Sequence, residues 1–375
     1  MKIGIFGGAF NPVHEMHVLC AKAAAESLKL DKLIVVPTKV SPHKNTPLAP
    51  AEHRINMLKI AFKGFDGVEV SDFEISRAGK SYSFITAEHF REEYGNAELF
   101  LIVGADMLSD FFTWKNPERI LAAVTLASFG RDGYFVSDKT LKEKFEKTFG
   151  TGYIKIPFSG EDVSSAEIRA YISLGLKPAG INAEVFDYIV KNDVYPADKY
   201  SDYVKRALPE KRKVHTANVV ACAMKKAKEL GLSEEKVRIA ATLHDCAKYD
   251  DAKKYKGFSL PTDVPPPVAH AFLGAFVAEK VLGIKDREII DAIKYHTSGK
   301  AGMSNLSKLI FVADMLEKGR DYEEVNYLRD LYEKDFDECF KRCVEEETKH
   351  LIAKKQYIYK ETLSAYEYYV TEEKI

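Results

Sequence analysis

The chain has 375 residues, 46% of them hydrophobic and 30% charged, with a formal net charge of -1. That length suits two or three domains, and the near-neutral balance excludes binding driven by bulk charge to nucleic acid or an anionic membrane. Cys20, Cys222, Cys246, Cys339 and Cys343 form no paired framework, no apolar run is long enough to span a bilayer, and Met1 to Phe6 enter a strand directly; a cytoplasmic location is expected.

Short apolar runs predict strands at Ile3–Phe6, Leu33–Val36, Val68–Val70, Leu99–Val103, Ala123–Phe129 and Tyr153–Ile156. Helical patterns lie between several of them, at His17–Leu28, Ala51–Phe62 and Ser83–Tyr94. Alternating strands and helices imply an α/β domain with a Rossmann-like, doubly wound parallel sheet covered on both faces. The turn residues Asn192, Asp193, Pro196 and Asp198 mark a boundary, giving expected domains at 1–196 and 197–375. Beyond it the periodicity is all helical. Val214–Leu230 ends at Gly231, Ser233 caps a helix to His244, three prolines precede a helix Val268–Leu282, and Asp286 caps another to Tyr295.

Seven of the ten histidines form two constellations. Behind the first strand stands Gly7-Gly8-Ala9-Phe10-Asn11-Pro12-Val13-His14-Glu15-Met16-His17. The spacing is not the dinucleotide fingerprint. It still puts two glycines at a strand's carboxyl end, where a phosphate can approach the backbone. His14 and His17 share a helix face near an end that favours anions. One histidine there would be incidental; two behind Gly-Gly point to phosphate. The loop Pro37 to Lys44 adds Lys39, Lys44 and His43 at the same sheet edge. Ser164 and Glu167 form a capping box, and Ser164, Ser165 and Arg169 make a candidate polyphosphate clamp. Gly104-Ala105-Asp106 ends another apolar strand, with Trp114 soon after.

These segments resemble the nucleotidylyltransferase superfamily, whose GGxFxPxHxGH and SSTxxR-type motifs match residues 7–17 and 164–169. More narrowly, residues 1 to about 195 resemble nicotinate-nucleotide adenylyltransferases, including Ser81-Tyr82-Ser83, Trp114 and Arg131-Asp132-Gly133. Met16 replaces the family's glycine and Ala166 its threonine. The resemblance implies AMP transfer from ATP to nicotinate mononucleotide, with Mg²⁺ accompanying ATP. His14 and His17 would bind the ATP phosphates, with Gly7, Gly8, Phe10, His43, Ser164 and Ser165 around them and Lys44 and Arg169 on the β/γ side. Asp106 would bind a nucleotide sugar, Trp114 would stack on the pyridine ring, and backbone amides near Trp114 and Arg131 would receive its carboxylate.

The second constellation is His215, His244, His270 and His296 with Asp245 and Asp314. Polar residues so numerous on separate helices are costly in a core unless paired or metal-bound. The donors are nitrogen and oxygen only, which suits Fe, Mn, Zn or Co. The order His…His-Asp…Asp resembles the HD-domain phosphohydrolases, and residues 203 to about 370 resemble the HD-type symmetrical diadenosine tetraphosphate hydrolases; Lys318 replaces a frequent proline. The resemblance implies an all-α HD domain holding two divalent or mixed-valent metal ions, iron being expected. His215, His244, Asp245 and Asp314 would bind one and His270 and His296 the other, with Asp245 bridging. Lys248, Lys300 and Arg320 are candidates to neutralise the polyphosphate. A nucleotidase, a cyclic-dinucleotide or alarmone hydrolase, and a nucleotide-sensing regulatory domain remain alternatives for this half. The expected partners are small nucleotides, namely ATP, nicotinate mononucleotide and diadenosine tetraphosphate, with no nucleic acid and no membrane; a homo-oligomer is compatible with all of this.

Overall fold

A computed structural model describes residues 1–40, 47–130, 138–160 and 163–371. Six strands, β1 (Lys2–Gly8), β2 (Lys32–Pro37), β3 (Val68–Val70), β4 (Glu98–Val103), β5 (Thr125–Gly130) and β6 (Ile154–Pro157), form one sheet. Its order is β3-β2-β1-β4-β5-β6 and every pairing is parallel. Consecutive residues of β2 and β4 are buried, as a sheet covered on both faces requires. Gly4 leaves room for the Leu30 side chain that precedes β2, since a Cβ there would stand 2.5 Å from Leu30 Cδ1. The winding direction reverses between β1 and β4, which creates a crevice at their carboxyl ends.

The expected elements are present with shifted ends. The first helix runs Glu15–Leu28 because His14 is its N-cap. The strand expected from Ala123 begins at Thr125, because Ala123 closes a helix that opens with Pro117 at its first position. Two further helices, Asp138–Phe149 and Ala183–Lys191, cover the sheet unit.

No strand occurs among the described residues after Pro157. The helices Glu210–Lys226, Glu234–Leu243, Pro266–Phe276, Arg287–Tyr295 and Asn305–Leu316 carry the second constellation or flank it. Ser233 and Asp286 cap two of them as expected, accepting from Lys236 N and Glu288 N. The helix expected from Val214 begins one turn earlier, at Glu210, and ends at Lys226. That expected from Val268 begins at Pro266, where a missing N–H costs no hydrogen bond. No helix among the described residues is long and apolar enough to cross a membrane.

Met1–Ser165 and Ala179–Val194 form one compact unit; Ala166–Pro178 and Tyr195–Ile375 form the other. The second has its own core, in which Tyr171, Leu174 and Leu176 from the inserted segment join Val204, Val219, Ala240, Leu309 and Val312.

Candidate functional sites

In the sheet unit, β1 ends on Gly7 and Gly8 in the crevice. A Cβ on Gly7 would meet nothing within 4 Å, so its face is open to a ligand. A Cβ on Gly8 would stand 2.9 Å from the Phe10 ring. Phe10 is fully buried and packs edge-on against Phe6 and His17, so it is a wall of the site. His14 and His17 bring their rings to 3.7 Å between centroids. The backbone N–H of His14 donates to Nδ1 of His17 at 3.2 Å. In neutral His17 the ring proton therefore sits on Nε2, the nitrogen that can donate. Burial pushes the His14 pKa down to about 4.

The loop is braced from below. Arg54 is buried and donates to Ala9 O at 2.9 Å, Thr38 O at 2.7 Å and Ala49 O at 3.0 Å, joining the segments after β1 and β2. Ser165 Oγ donates to Pro12 O at 2.9 Å. Met16 packs its terminal methyl against Gly160, where a Cβ would lie 2.2 Å away. Its extra bulk is thus taken up by a glycine face.

The other expected residues are placed as follows. Trp114 is buried, 5.3 Å from the Phe111 ring. Lys39 donates to Arg77 O at 2.5 Å. Ser164 lies beside Ser165, just before the helix Ser165–Ser173, whose Ala166–Ser173 portion, with Glu167 and Arg169, belongs to the helical unit. Burial lowers the Arg169 pKa. Asp106 lies on the helix Ala105–Asp110. Its side chain, and His43, Lys44 and Arg131, lie outside the described residues. His53 and His89, outside both constellations, are used locally: His53 Nδ1 is 2.9 Å from Tyr188 Oη, and His89 stacks on Phe73.

In the helical unit, His215 comes from Glu210–Lys226, His244 and Asp245 from the end of Glu234–Leu243, His270 from Pro266–Phe276, His296 from the end of Arg287–Tyr295, and Asp314 from Asn305–Leu316. The structure brings all six together. Asp245, 2% exposed, divides the histidines into two pairs. Its Oδ2 is 3.9 Å from His215 Nε2 and 3.7 Å from His244 Nε2. Its Oδ1 is 2.9 Å from His270 Nε2 and 3.5 Å from His296 Nε2. Within each pair the Nε2 atoms are 3.3 Å apart, and Asp314 Oδ1 is 3.0 Å from His215 Nε2.

The donor set fits a metal. His215, His244 and Asp314, and likewise His244, Asp245 and His296, offer atoms all within 4.8 Å of one another. Asp245 Oδ1 is buried between His270 Nε2 and His296 Nε2, an acceptor that suits a cation. Burial pushes the His244 pKa down to about 3 and also lowers that of His270, so both rings are neutral and ready to ligate. Burial also opposes charge on His215, but Asp314 and Glu317 outweigh it and raise its pKa. Burial would raise Asp245 and Asp314; the surrounding imidazoles hold both well below the usual carboxylate range.

Three basic residues reach this cluster. Lys248 Nζ is 3.0 Å from His270 Nε2, and Arg320 binds Asp314 Oδ1 at 2.5 Å. Arg212, which the sequence analysis does not single out, binds Asp245 Oδ2 at 2.8 Å. Its signal was its place one turn before His215. Lys300 instead pairs with Asp291 at 2.8 Å and lies over the Tyr295 ring. Thr297 was also missed: its Oγ1 lies 3.0 Å from His296 Nε2 and 3.4 Å from His270 Nε2.

A family model described as cytidylyltransferase-like matches residues 5–171, and one described as HD domain matches residues 212–319. The chain is similar to the "Probable nicotinate-nucleotide adenylyltransferase/Ap4A hydrolase" of Mycoplasma pneumoniae, at 30% identity over 85% of this chain and 90% of that protein. Its namesake in Mycoplasma genitalium is 29% identical over 86% of this chain and 89% of its own length. A "Probable nicotinate-nucleotide adenylyltransferase" of Clostridium tetani is 39% identical over 46% of this chain and 88% of its own.

Proposed function

The chain belongs to the family of fused nicotinate-nucleotide adenylyltransferase/Ap4A hydrolases, and we propose that it is a bifunctional enzyme carrying both activities, the first in residues 1–196 and the second in 197–375. The observation that carries this reading is that its histidines form two clusters of opposite chemistry. One is a close, tilted pair at the switch point of a parallel sheet. The other is four rings divided by one buried carboxylate.

In the first reaction a phosphate oxygen of nicotinate mononucleotide attacks the α-phosphorus of ATP. The bond to the β-phosphate breaks, giving deamido-NAD and pyrophosphate. The nucleophile is already an anion, so positioning and charge neutralisation carry the catalysis. His17 donates from Nε2 to the ATP phosphates and His14 binds beside it, with Gly7, Gly8, Ser164, Ser165, His43, Lys44 and Arg169 completing the phosphate contacts. Mg²⁺ bound with ATP shields the phosphate charge. Asp106 holds a sugar, Trp114 the pyridine ring, and the backbone near Trp114 and Arg131 its carboxylate.

In the second reaction water splits the central P–O–P link of diadenosine tetraphosphate, giving two ADP. His215, His244, Asp314 and one oxygen of Asp245 would hold one metal ion, and His270, His296 and the other oxygen a second. A metal pair there, iron being expected, supplies an activated water and neutralises the attacked phosphate. Lys248, Arg212 and Arg320 neutralise the polyphosphate arms. Lys300, whose partner Asp291 is not one of the six cluster residues, contributes less. The five free cysteines support a cytoplasmic location.

The test is direct. The protein is given ATP with nicotinate or nicotinamide mononucleotide, and separately diadenosine tetraphosphate, and products are identified by chromatography. Deamido-NAD from the acid and ADP as the sole hydrolysis product are expected. Preference for the amide, or AMP with ATP as the hydrolysis products, would overturn the corresponding half.

A further inference from the structure

The cluster's histidines differ in what holds the nitrogen facing away from it. His244 Nδ1 is 2.7 Å from Ala241 O and His296 Nδ1 is 2.8 Å from Ile293 O, each carbonyl three residues back in sequence. His215 Nδ1 is instead 3.1 Å from Oε1 of Glu317, a residue far along the chain. Glu317 is 3% exposed, so its carboxylate must be met by donors. Its Oε2 accepts from Asn218 Nδ2 at 2.8 Å and from Gly319 N at 2.6 Å. Tyr171 turns the Asn218 amide that way by donating its hydroxyl to Asn218 Oδ1 at 2.7 Å. Gly319 is fitted to the carboxylate, since a Cβ there would lie 3.0 and 3.1 Å from its two oxygens.

We propose that Glu317 is a positioning residue for metal binding: it accepts the Nδ1 proton of His215 and so leaves Nε2, the nitrogen toward Asp314 and Asp245, for a metal. This rests on the metal reading given above. Asn218, Tyr171 and Gly319 keep the carboxylate aimed, and a carboxylate partner makes His215 a more basic ligand than a carbonyl makes His244 or His296. An amide cannot take over the role. Turned one way, Gln at 317 sets its NH₂ against the Asn218 and Gly319 donors. Turned the other way, it donates to His215 Nδ1 and moves the ring proton onto Nε2, where metal should bind.

The experiment uses full-length protein and Zn²⁺ as the probe. Zn²⁺ stoichiometry and affinity are measured by chelator competition for wild type, Glu317→Gln, Tyr171→Phe and His215→Ala, and the ¹⁵N shifts of the histidine rings report which nitrogen carries the proton. Glu317→Gln is expected to weaken one of two Zn²⁺ positions by roughly 10–100-fold and to change the protonated nitrogen of one ring. Tyr171→Phe is expected to weaken the same position by a smaller factor, and it reads the same network if Glu317→Gln does not fold. Unchanged Zn²⁺ affinity and ring shifts in both variants, with His215→Ala losing one Zn²⁺, would overturn this inference alone. A wild type that binds no Zn²⁺ would overturn the metal reading and this inference together.

Discussion

In the sheet unit, His14 and His17 stand three residues apart at the start of one helix, and a backbone N–H of the same turn meets the His17 ring. In the helical unit, four histidines come from four regions of the chain, and a carboxylate far along the chain and two carbonyls one turn back hold the outward nitrogens of three of them. An anion needs only a few N–H groups on an open rim, which one turn of chain can supply. A cation pair needs neutral nitrogens and buried carboxylates on several sides at once, which only a folded core can supply. The proton therefore plays opposite parts: it adds attraction for phosphate at the first site and competes with metal at the second.

The largest expected effect separates the two sites outright. Asp245→Ala should lower diadenosine tetraphosphate hydrolysis on the order of 1,000-fold or more, with loss of bound metal by elemental analysis, because both histidine pairs lose their shared carboxylate. Adenylyl transfer by the same protein should stay within about twofold. A parallel fall in both rates would break the comparison.

His17→Ala should lower kcat/KM of the transferase about 100-fold, the usual cost of one well-placed donor to a developing charge, and leave the hydrolase rate unchanged. Retained transfer would show that the histidine pair is not the phosphate site.

Next comes pH. His14 and His244, depressed to about 4 and about 3, stay neutral in the fold while the unfolded chain takes up protons below about 6.5. Stability from these two groups is present above that pH and lost as pH falls toward 4 and 3, by about 1.4 kcal/mol per pH unit for each. Urea midpoints of the metal-free protein, followed from pH 7 to 4.5, should fall accordingly. Ligands should respond differently over this range: Zn²⁺ should bind the second site less tightly as pH drops, whereas sulfate, whose charge is constant, should gain from His14 at the first site only near pH 4. Equal pH slopes would sink the assigned roles.

Smaller effects sharpen the second site. Lys248→Ala should raise KM for diadenosine tetraphosphate roughly tenfold, as expected for one charged contact, whereas Lys300→Ala should change it less than about threefold because that lysine is already paired with Asp291. Smallest of all, Met16→Ala should cost about 1 kcal/mol of stability from the space left beside Gly160, read as a lower urea midpoint.

Much of this was legible in the sequence. The six strands, the glycine turn and the six-residue constellation all announce themselves through apolar runs and costly polar residues. Local spacing also held the signal for Arg212, one turn before His215, and for the helix Asp138–Phe149, whose buried Leu141 and Phe145 are four apart. Other features were not legible because they depend on contacts between distant segments. Nothing near Glu317 announces that it meets His215, and a buried Arg54 bonded to three carbonyls has no linear pattern. The path of residues 166–178 is likewise a tertiary outcome. Those residues follow a motif of the first half yet settle in the core of the second.

That path bears on how such a gene can be taken apart. The polypeptide changes units three times, after Ser165, Pro178 and Val194. A protein truncated after residue 196 would keep Tyr171, Leu174 and Leu176 while losing Val204, Val219 and the rest of their core, leaving three large apolar side chains exposed to water. A single recombination breakpoint at the apparent seam thus yields one half carrying a piece of the other, and clean inheritance of either activity alone requires that short insert to be rewritten at the same time.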